Sequence, residues 1–314
     1  MAKNKVKAPA NEDVRTKFGK ISKGANFWLT ILMVLLAATV VLPLLLIVII
    51  SFSSALSIAH RGFTFFPESW SLLGYTYLLE SGEQVIQSYL ITIFYTVAGT
   101  VLALLVMSMF AFVLSQKHLK ARLFLTFFMY FTMLFHGGLV SRYLLYTQYY
   151  NIYDTIWVFL LPGLVGGYNV FILRTFINTT IPDSLFEAAR IDGANDFTIY
   201  VRIVMPLFKA GLATIGLFSV VSRWNDWYTG FMYIEKAHLT PLQTMLVRIQ
   251  KNLEFILSNS DMANEPDGLQ KLKEIPSTSM QMAIFVVSTI PILCAYPFFQ
   301  KYFISGLTIG SVKG

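Results

Sequence analysis

Six stretches of mostly apolar residues constrain this chain more than anything else in it. They lie near 27–52, 86–114, 123–140, 155–176, 207–230 and 280–300. Each approaches the length of about 20 residues that a helix needs to cross roughly 30 Å of hydrocarbon. Backbone groups in lipid find no water, so a spanning segment must satisfy them internally, as a helix does. Composition agrees. The chain is 55% hydrophobic and only 13% charged, against about a quarter charged in a soluble domain. The expected fold class is an all-α integral membrane protein with six transmembrane helices. The first run, Phe27 to Ile50, is too long for a signal-peptide core and reads as an uncleaved anchor.

Charge placement sets the expected topology. The net charge of +7 could point to nucleic acid, but its distribution does not. Lys3, Lys5, Lys7, Arg15, Lys17, Lys20 and Lys23 all precede the first apolar run, which places the N-terminus in the cytoplasm. With six spans, residues 115–122 and 177–206 are then inside, with 53–85, 141–154 and 231–279 outside. The inner segments hold most of the 24 basic residues, whereas the outer ones hold Glu68, Glu80, Glu83, Asp261, Glu265, Asp267 and Glu274. The expected organisation is a basic cytoplasmic segment 1–26, a six-helix transmembrane domain 27–300 and a cytoplasmic tail 301–314. The plasma membrane is the expected location, with lipid as a partner and no nucleic acid. Pro43, Pro162 with Gly163, Gly166 and Gly167, and Pro291 with Pro297 interrupt the spans, as packing breaks or as hinges. In the outer segment Pro241 to Leu257 reads as helical, and Asn259 to Gly268 as a polar loop.

Catalytic chemistry finds little support. No phosphate-cradling G-x-x-x-x-G-K-[ST] loop and no H-E-x-x-H zinc motif occurs. The four histidines are scattered, and the single cysteine, Cys294, excludes an intramolecular disulfide or a cysteine metal cluster. The chain is therefore expected not to be an enzyme, and to bind no metal or cofactor of its own.

Two polar stretches stand out. The first, within 178–206, runs from Pro182 to Ala194 and is answered by Ile203 to Pro206. Ser184 followed by Glu187 has the spacing of a capping box, opening a short helix through Ala188, Ala189 and Arg190. Gly193 stands where a positive φ would end that helix, and Asn195 and Asp196 would cap a second one that Pro206 ends or kinks. A rigid amphipathic knob between apolar segments reads as a docking element. The second stretch, Ser222 to Tyr228, occupies the outer end of the fifth span. A charge at a membrane centre costs about 2.5–3.5 kcal/mol on insertion scales, so Arg223 and Asp226 need partners, water or an interfacial position. Three apart, they can pair on one helix face. An aromatic belt would account for the stretch. So would a cavity for a hydroxyl-rich ligand, with Arg223, Trp224, Asn225 and Asp226 as its candidate lining.

The first stretch also carries a resemblance. Glu187-Ala188-Ala189, three residues, Gly193, nine residues and Ile203-x-Met205-Pro206 resemble the EAA motif of ABC importer permeases, with Met205 where the pattern has Leu. Ile181-Pro182, Ile191-Asp192-Gly193-Ala194, Pro206-Leu207 and Trp224-Asn225 are similar to the carbohydrate-uptake branch. Gly137-Gly138-Leu139, the run Tyr296 to Phe303 and the ending Gly310 to Gly314 resemble a polysaccharide and complex-glycan subgroup. The resemblance implies a six-span permease that works by alternating access beside a sister permease. It also implies an ABC ATPase dimer holding ATP and Mg, and an extracellular substrate-binding lipoprotein that delivers the carbohydrate. By the same resemblance, Leu185, Phe186, Glu187, Ala188, Ala189, Arg190, Asp192 and Gly193 would form the helix that couples to the ATPase, with Glu187 meeting a basic ATPase residue. The competing expectation is a self-sufficient secondary transporter or channel for a small polar solute. Few ionisable residues lie deep in the spans, and no second half repeats the first, both of which count against it.

Overall fold

A computed structural model describes residues 22–80, 82–258 and 277–311. The basic segment 1–21, the polar stretch 259–276 and residues 312–314 lie outside the described residues. Helices, and one isolated β-bridge between Ser53 and Trp70, account for the regular structure among the described residues. In chain order the helices are α1 (Lys23–Ser51), α2 (Ala55–Arg61), α3 (Leu73–Glu80), α4 (Gly82–Ser115), α5 (Arg122–Leu134), α6 (Gly138–Leu144), α7 (Trp157–Leu160) and α8 (Gly167–Thr180). There follow α9 (Asp183–Ile191), α10 (Asp196–Ile199), α11 (Met205–Leu207), α12 (Lys209–Trp224), α13 (Trp227–Tyr233), α14 (Leu242–Ser258) and α15 (Ser277–Ser311).

α4 is the axis of the molecule, and it packs against α8 and α12. Between Ser88 and Ala111 its buried face is Ser88, Thr92, Thr96, Gly99, Thr100, Ala103, Ser108 and Ala111, small residues at helical spacing interleaved with Tyr95 and Met107, and Phe112 and Leu114 are buried at its end. Its outward face is Ile86, Leu90, Phe94, Val97, Val101 and Leu105. This reverses the soluble pattern. Lipid tails are as apolar as leucine, so packing in a membrane is won by close backbone approach rather than by burying apolar bulk. α1 makes its main contact with α15 and otherwise exposes apolar side chains along its length.

The expected spans are realised unevenly. Two helices, Gly24–Ser51 and Gly82–Ser115, are long and apolar enough to cross a membrane, among the described residues. The number rises to four if two bent pairs each count as one span: Arg122–Leu134 with Gly138–Tyr149, bent by 112°, and Asp196–Leu207 with Lys209–Trp224, bent by 79°. The expected fourth span is also divided, into α7 and α8, with Pro162, Gly163 and Gly166 between them. Pro43, Pro291 and Pro297 sit inside continuous helices, by contrast, so they are not breaks. The expected outer helix forms as α14, and Leu242, Met245, Leu246 and Ile249 turn its apolar stripe inward.

Candidate functional site

The first polar stretch folds into a stapled elbow. α9 ends as expected. Gly193 adopts φ +81°, the Ala194 amide donates to the Ala189 carbonyl at 2.9 Å and the Gly193 amide to the Arg190 carbonyl at 3.0 Å. That pair of bonds is the Schellman motif. Asn195 then caps α10, its Oδ1 accepting from the Thr198 amide at 2.8 Å. The opening of α9 differs from expectation. Pro182 is the N-cap, with no side-chain capping bond, so the Ser184–Glu187 capping box is not formed. Proline's fixed φ already sets the chain for the turn, and Ser184 falls inside the helix, two residues too late to cap it.

The two faces of α9 have different partners. Phe186 is 7% exposed and its ring lies 6.3 Å from that of Phe112 at the end of α4, while Ala189 packs on the same core. Arg190 donates through Nη2 to Gln116 Oε1 at 2.6 Å and to Asp196 Oδ1 at 3.3 Å. Lys117 Nζ pairs with Asp183. Phe186 and Arg190 are thus internal fasteners rather than parts of an outer surface. Leu185, Glu187, Ala188, Ile191, Asp192 and Gly193 remain exposed, Ile191 by 86%, and Phe197 beyond the turn is exposed by 67%. Downstream, a π-helical stretch Tyr200–Val204 precedes Met205-Pro206, and Phe208 breaks the helix before α12. The widened turn gives room for the Pro206 ring, which would clash with the carbonyl four residues back. Buried Ser108 and Tyr200 share a 2.7 Å hydrogen bond that ties this stretch to α4.

Ser222, Arg223 and Asp226 of the second stretch line one side of a cavity of about 360 Å³ at the break between α7 and α8. Its polar lining is Asn169, Ser219, Ser222, Arg223, Asp226 and Thr229. Arg223 does not pair with Asp226. Its Nη1 donates to the Phe159 carbonyl at 2.7 Å and its Nη2 to the Gly163 carbonyl at 3.0 Å. Those acceptors sit where the broken helix has lost its own donors, so the guanidinium replaces missing amides. Gly99 and Gly163 make room for it, since a Cβ at either would stand 2.5 or 2.8 Å from the guanidinium. Asp226 instead caps α13, Oδ1 accepting from the Thr229 amide at 3.0 Å. Trp224 and Asn225 do not line the cavity. Trp224 is buried and donates through Nε1 to the Ser288 carbonyl of α15 at 3.0 Å, and Asn225 folds back onto the Val221 carbonyl at 2.9 Å. Successive residues on a helix point in different directions, so four in a row cannot share one wall. Asn169, Ser219 and Thr229 went unsingled by sequence reasoning, because lone polar residues in apolar helices are common, and Ser222 was seen only as the edge of the polar stretch. The glycines facing Arg223 were the readable hint.

No family model matches the chain. Over 282 residues it is 34% identical to the polygalacturonan/rhamnogalacturonan transport system permease protein YtcP of Bacillus subtilis, covering 90% of this chain and 96% of the relative. The chain belongs to the ABC importer permeases of the carbohydrate-uptake family. The arabinooligosaccharides transport system permease protein AraQ of Halalkalibacterium halodurans is 26% identical over 303 residues, 94% of this chain and 99% of the relative. A solved structure of similar fold is a bacterial ABC transporter involved in the import of the acidic polysaccharide alginate. It has a TM-score of 0.75 at 30% identity, covering 90% of this chain and 99% of that one. As a member of this family the chain is a multi-pass, non-catalytic permease subunit, and the self-sufficient carrier expected as the alternative is set aside. Viewed as an ABC permease, it joins its elbow and its cavity through one helix. α12 begins at the Phe208 bend and ends at Arg223 and Trp224.

Proposed function

We propose that this permease forms half of a transmembrane pathway for an oligosaccharide, acidic in its best-supported form, driven by ATP hydrolysis on a partner. The relatives support the substrate class: one is named for polygalacturonan and rhamnogalacturonan, another for the acidic polysaccharide alginate. The sister permease completes the pathway, an external binding lipoprotein delivers the glycan, and an ABC ATPase dimer holds ATP and Mg²⁺. The chain crosses the plasma membrane six times with both termini in the cytoplasm, so that the elbow meets the ATPase.

The single observation that carries this reading is the exposed face of α9. Leu185, Glu187, Ala188 and Ile191 stand outward on a helix fastened from behind by Phe186 and Arg190. Small and apolar side chains around one carboxylate suit a close-fitting protein groove with a cation in it. A helix pushed on that face moves as a rigid piece, because its C-terminus is locked by the Gly193 turn. The push reaches Phe208 and α12, and so the wall of the cavity at Arg223. Alternating access then follows if the two arrangements of the elbow differ in their contacts with the nucleotide-bound ATPase.

The test is gentle-detergent co-purification followed by reconstitution. Recovery with an ATPase, a second permease and a binding lipoprotein, and uptake that needs ATP and the binding protein, are the expected results. Recovery of this chain alone with ATP-independent uptake would overturn the reading.

A further inference from the structure

Two arginines at the end of the molecule that carries the elbow have no counter-charge. Arg122 opens α5, and Arg174 stands on α8 two residues before Phe176, whose ring lies 6.3 Å from that of Phe208. Both arginines are half-buried. Phe171 and Arg174, three residues apart, share a face of α8. That face meets α5, with the Phe171 and Tyr130 ring centroids 4.5 Å apart. Arg174 lies within electrostatic reach of Tyr130 and of Arg122, so two like charges act on each other here. The neighbouring cations are matched, Lys117 by Asp183 and Arg190 by Asp196. Among the described residues no carboxylate forms an ion pair with Arg122 or Arg174. The Arg174 Nε is buried and donates to no protein group, an N–H whose desolvation nothing offsets. α5 adds to the positive field, since it begins with no side-chain cap and no acidic residue in its first turn.

The surface beside the pair is apolar over the depth of one leaflet. Phe124, Phe127, Phe128, Phe131 and Phe135 recur at helical spacing and are exposed, while Leu125 and Met129 turn to the core. Rings pack along the stripe, with centroids 6.3 Å apart from Phe127 to Phe131 and 4.6 Å from Phe131 to Phe135. At about 1.5 Å per residue, the stripe from Phe124 to Phe135 is about 16 Å long. Half of a bilayer's hydrocarbon is about 15 Å thick.

These features select a ligand class. A guanidinium presents a planar fork of donors that fits two oxygens of one phosphate. A cation pair at one end of a leaflet-long apolar stripe matches a molecule with an anionic head and acyl tails. A zwitterionic lipid brings its own cation beside the phosphate and would leave the two positive charges unbalanced. We propose that Arg122 and Arg174 form a site for the phosphate of an anionic phospholipid, whose acyl chains lie along the phenylalanine stripe of α5. The inference needs only that the chain is a membrane permease, and it is independent of which glycan the chain carries. A lipid held there bridges α5 and α8, and α8 backs the elbow through Phe176 and Phe208.

The test is native mass spectrometry of the purified chain, with the subunits that accompany it. The sample is incubated in detergent with equal amounts of phosphatidylglycerol and phosphatidylcholine. We expect phosphatidylglycerol to be retained in preference, and Arg174→Met and Arg122→Met each to weaken its retention roughly fivefold. Arg174→Lys keeps the charge without the fork and should lose less. Arg202→Met removes an exposed cation outside the pair and should leave retention unchanged. Should Arg174→Met fail to fold, Arg122→Met decides alone. Retention equal to wild type in these two variants, or an equal loss in Arg202→Met, would overturn the site. So would release of the lipid by inorganic phosphate, which would show a site for the free anion. Loss of an accompanying subunit from Arg174→Met would overturn it too, because the pair would then be shown to hold a protein partner.

Discussion

At Phe208 the chain turns by 79° between two helical segments, and at Pro162 to Gly166 it breaks between α7 and α8, yet the two places are held in different ways. The elbow at Phe208 is fastened by side chains that reach across its surface, Arg190 to Gln116 and Asp196, and Lys117 to Asp183. Its ion pairs are half-exposed or exposed, so each contributes little, typically 0–1 kcal/mol for such a pair. The break at Pro162 is held by one buried arginine that supplies two donors to carbonyls with no helical amide left to serve them. One region can shift its polar contacts to water at small cost; the other cannot. That difference fits an elbow that is pushed and a cavity wall that must keep its shape while it is carried.

The sharpest way to break the comparison is Arg223→Met. It leaves the Phe159 and Gly163 carbonyls without their donor, and the expected loss is about 3 kcal/mol of stability, on a scale of about 1–3 kcal/mol per orphaned group. Unfolding of the purified complex in graded denaturant measures it. Arg190→Met at the elbow should cost less than about 1 kcal/mol in the same assay. Equal losses would mean that the two regions do not differ in kind. Gly99→Ala and Gly163→Ala fall between them. Each new Cβ presses on the guanidinium, which is the mobile end of a long side chain, so a cost nearer about 1 kcal/mol is expected.

A second break targets function rather than stability. Gly193→Asp should abolish transport, with uptake down by roughly tenfold or more, while the protein still inserts. Nothing stands within 4 Å of where its Cβ would be, so the obstacle is the φ of +81° and not crowding. Gly193→Asn tolerates that φ better and should retain more activity than Gly193→Asp. If Gly193→Asp transports normally, α9 need not be rigid and the coupling assignment falls.

These contrasts also show which parts of the chain were legible beforehand. Gly193 and Asn195 were, because a positive φ and a side-chain cap depend on residues only a few positions away. The Ser184 capping box was misread for the same reason: Pro182, two residues earlier, had already begun the helix. That Arg223 needed partners was readable from the cost of a charge among apolar residues. Their identity was not, because backbone carbonyls 60 and 64 positions away leave no trace in side-chain chemistry. The membrane fold itself was plain from six apolar runs. Their continuity was not, since proline alone does not decide: α15 runs through Pro291 and Pro297, whereas the chain breaks where Pro162 is followed by Gly163 and Gly166.

A finer test separates the two surfaces of α9. Glu187 is exposed and unneeded as a cap, so Glu187→Ala should weaken ATPase association a few-fold, about 1 kcal/mol for a rim charge, with stability unchanged. Ser184→Ala should alter neither, because Ser184 caps nothing. Unchanged association in Glu187→Ala would remove Glu187 from the docking face and leave Leu185 and Ile191 to carry it.

The smallest effect lies where Tyr153 and Asp154 meet Glu235 and Lys236, which gives the comparison a third, pH-dependent member. Asp154, at φ +53°, receives the Glu235 and Lys236 amides on Oδ1 at 3.0 and 2.9 Å, and Lys236 Nζ lies 3.5 Å from Oδ2. Burial works against its charge, but the two amides and the Lys236 ammonium outweigh it and hold the carboxyl below its ordinary range. Tyr153 donates to Glu235 Oε1 at 2.7 Å, and that bond to a carboxylate pushes the phenol up to about 12. A lowered carboxyl stabilises the fold above its unfolded value and ceases to do so as pH falls through the folded one. A raised phenol stabilises below its unfolded value and is lost as pH climbs through the folded one. Protection factors for amide exchange across residues 233–237 should therefore stay flat from about pH 5 to 9, falling below about pH 4 and again above about pH 10. Asp154→Asn should erase the acid limb and Tyr153→Phe the alkaline one, each leaving the other in place. An acid limb that survives Asp154→Asn would mean that other carboxylates hold this junction, and the Asp154 turn would then be a matter of backbone shape alone.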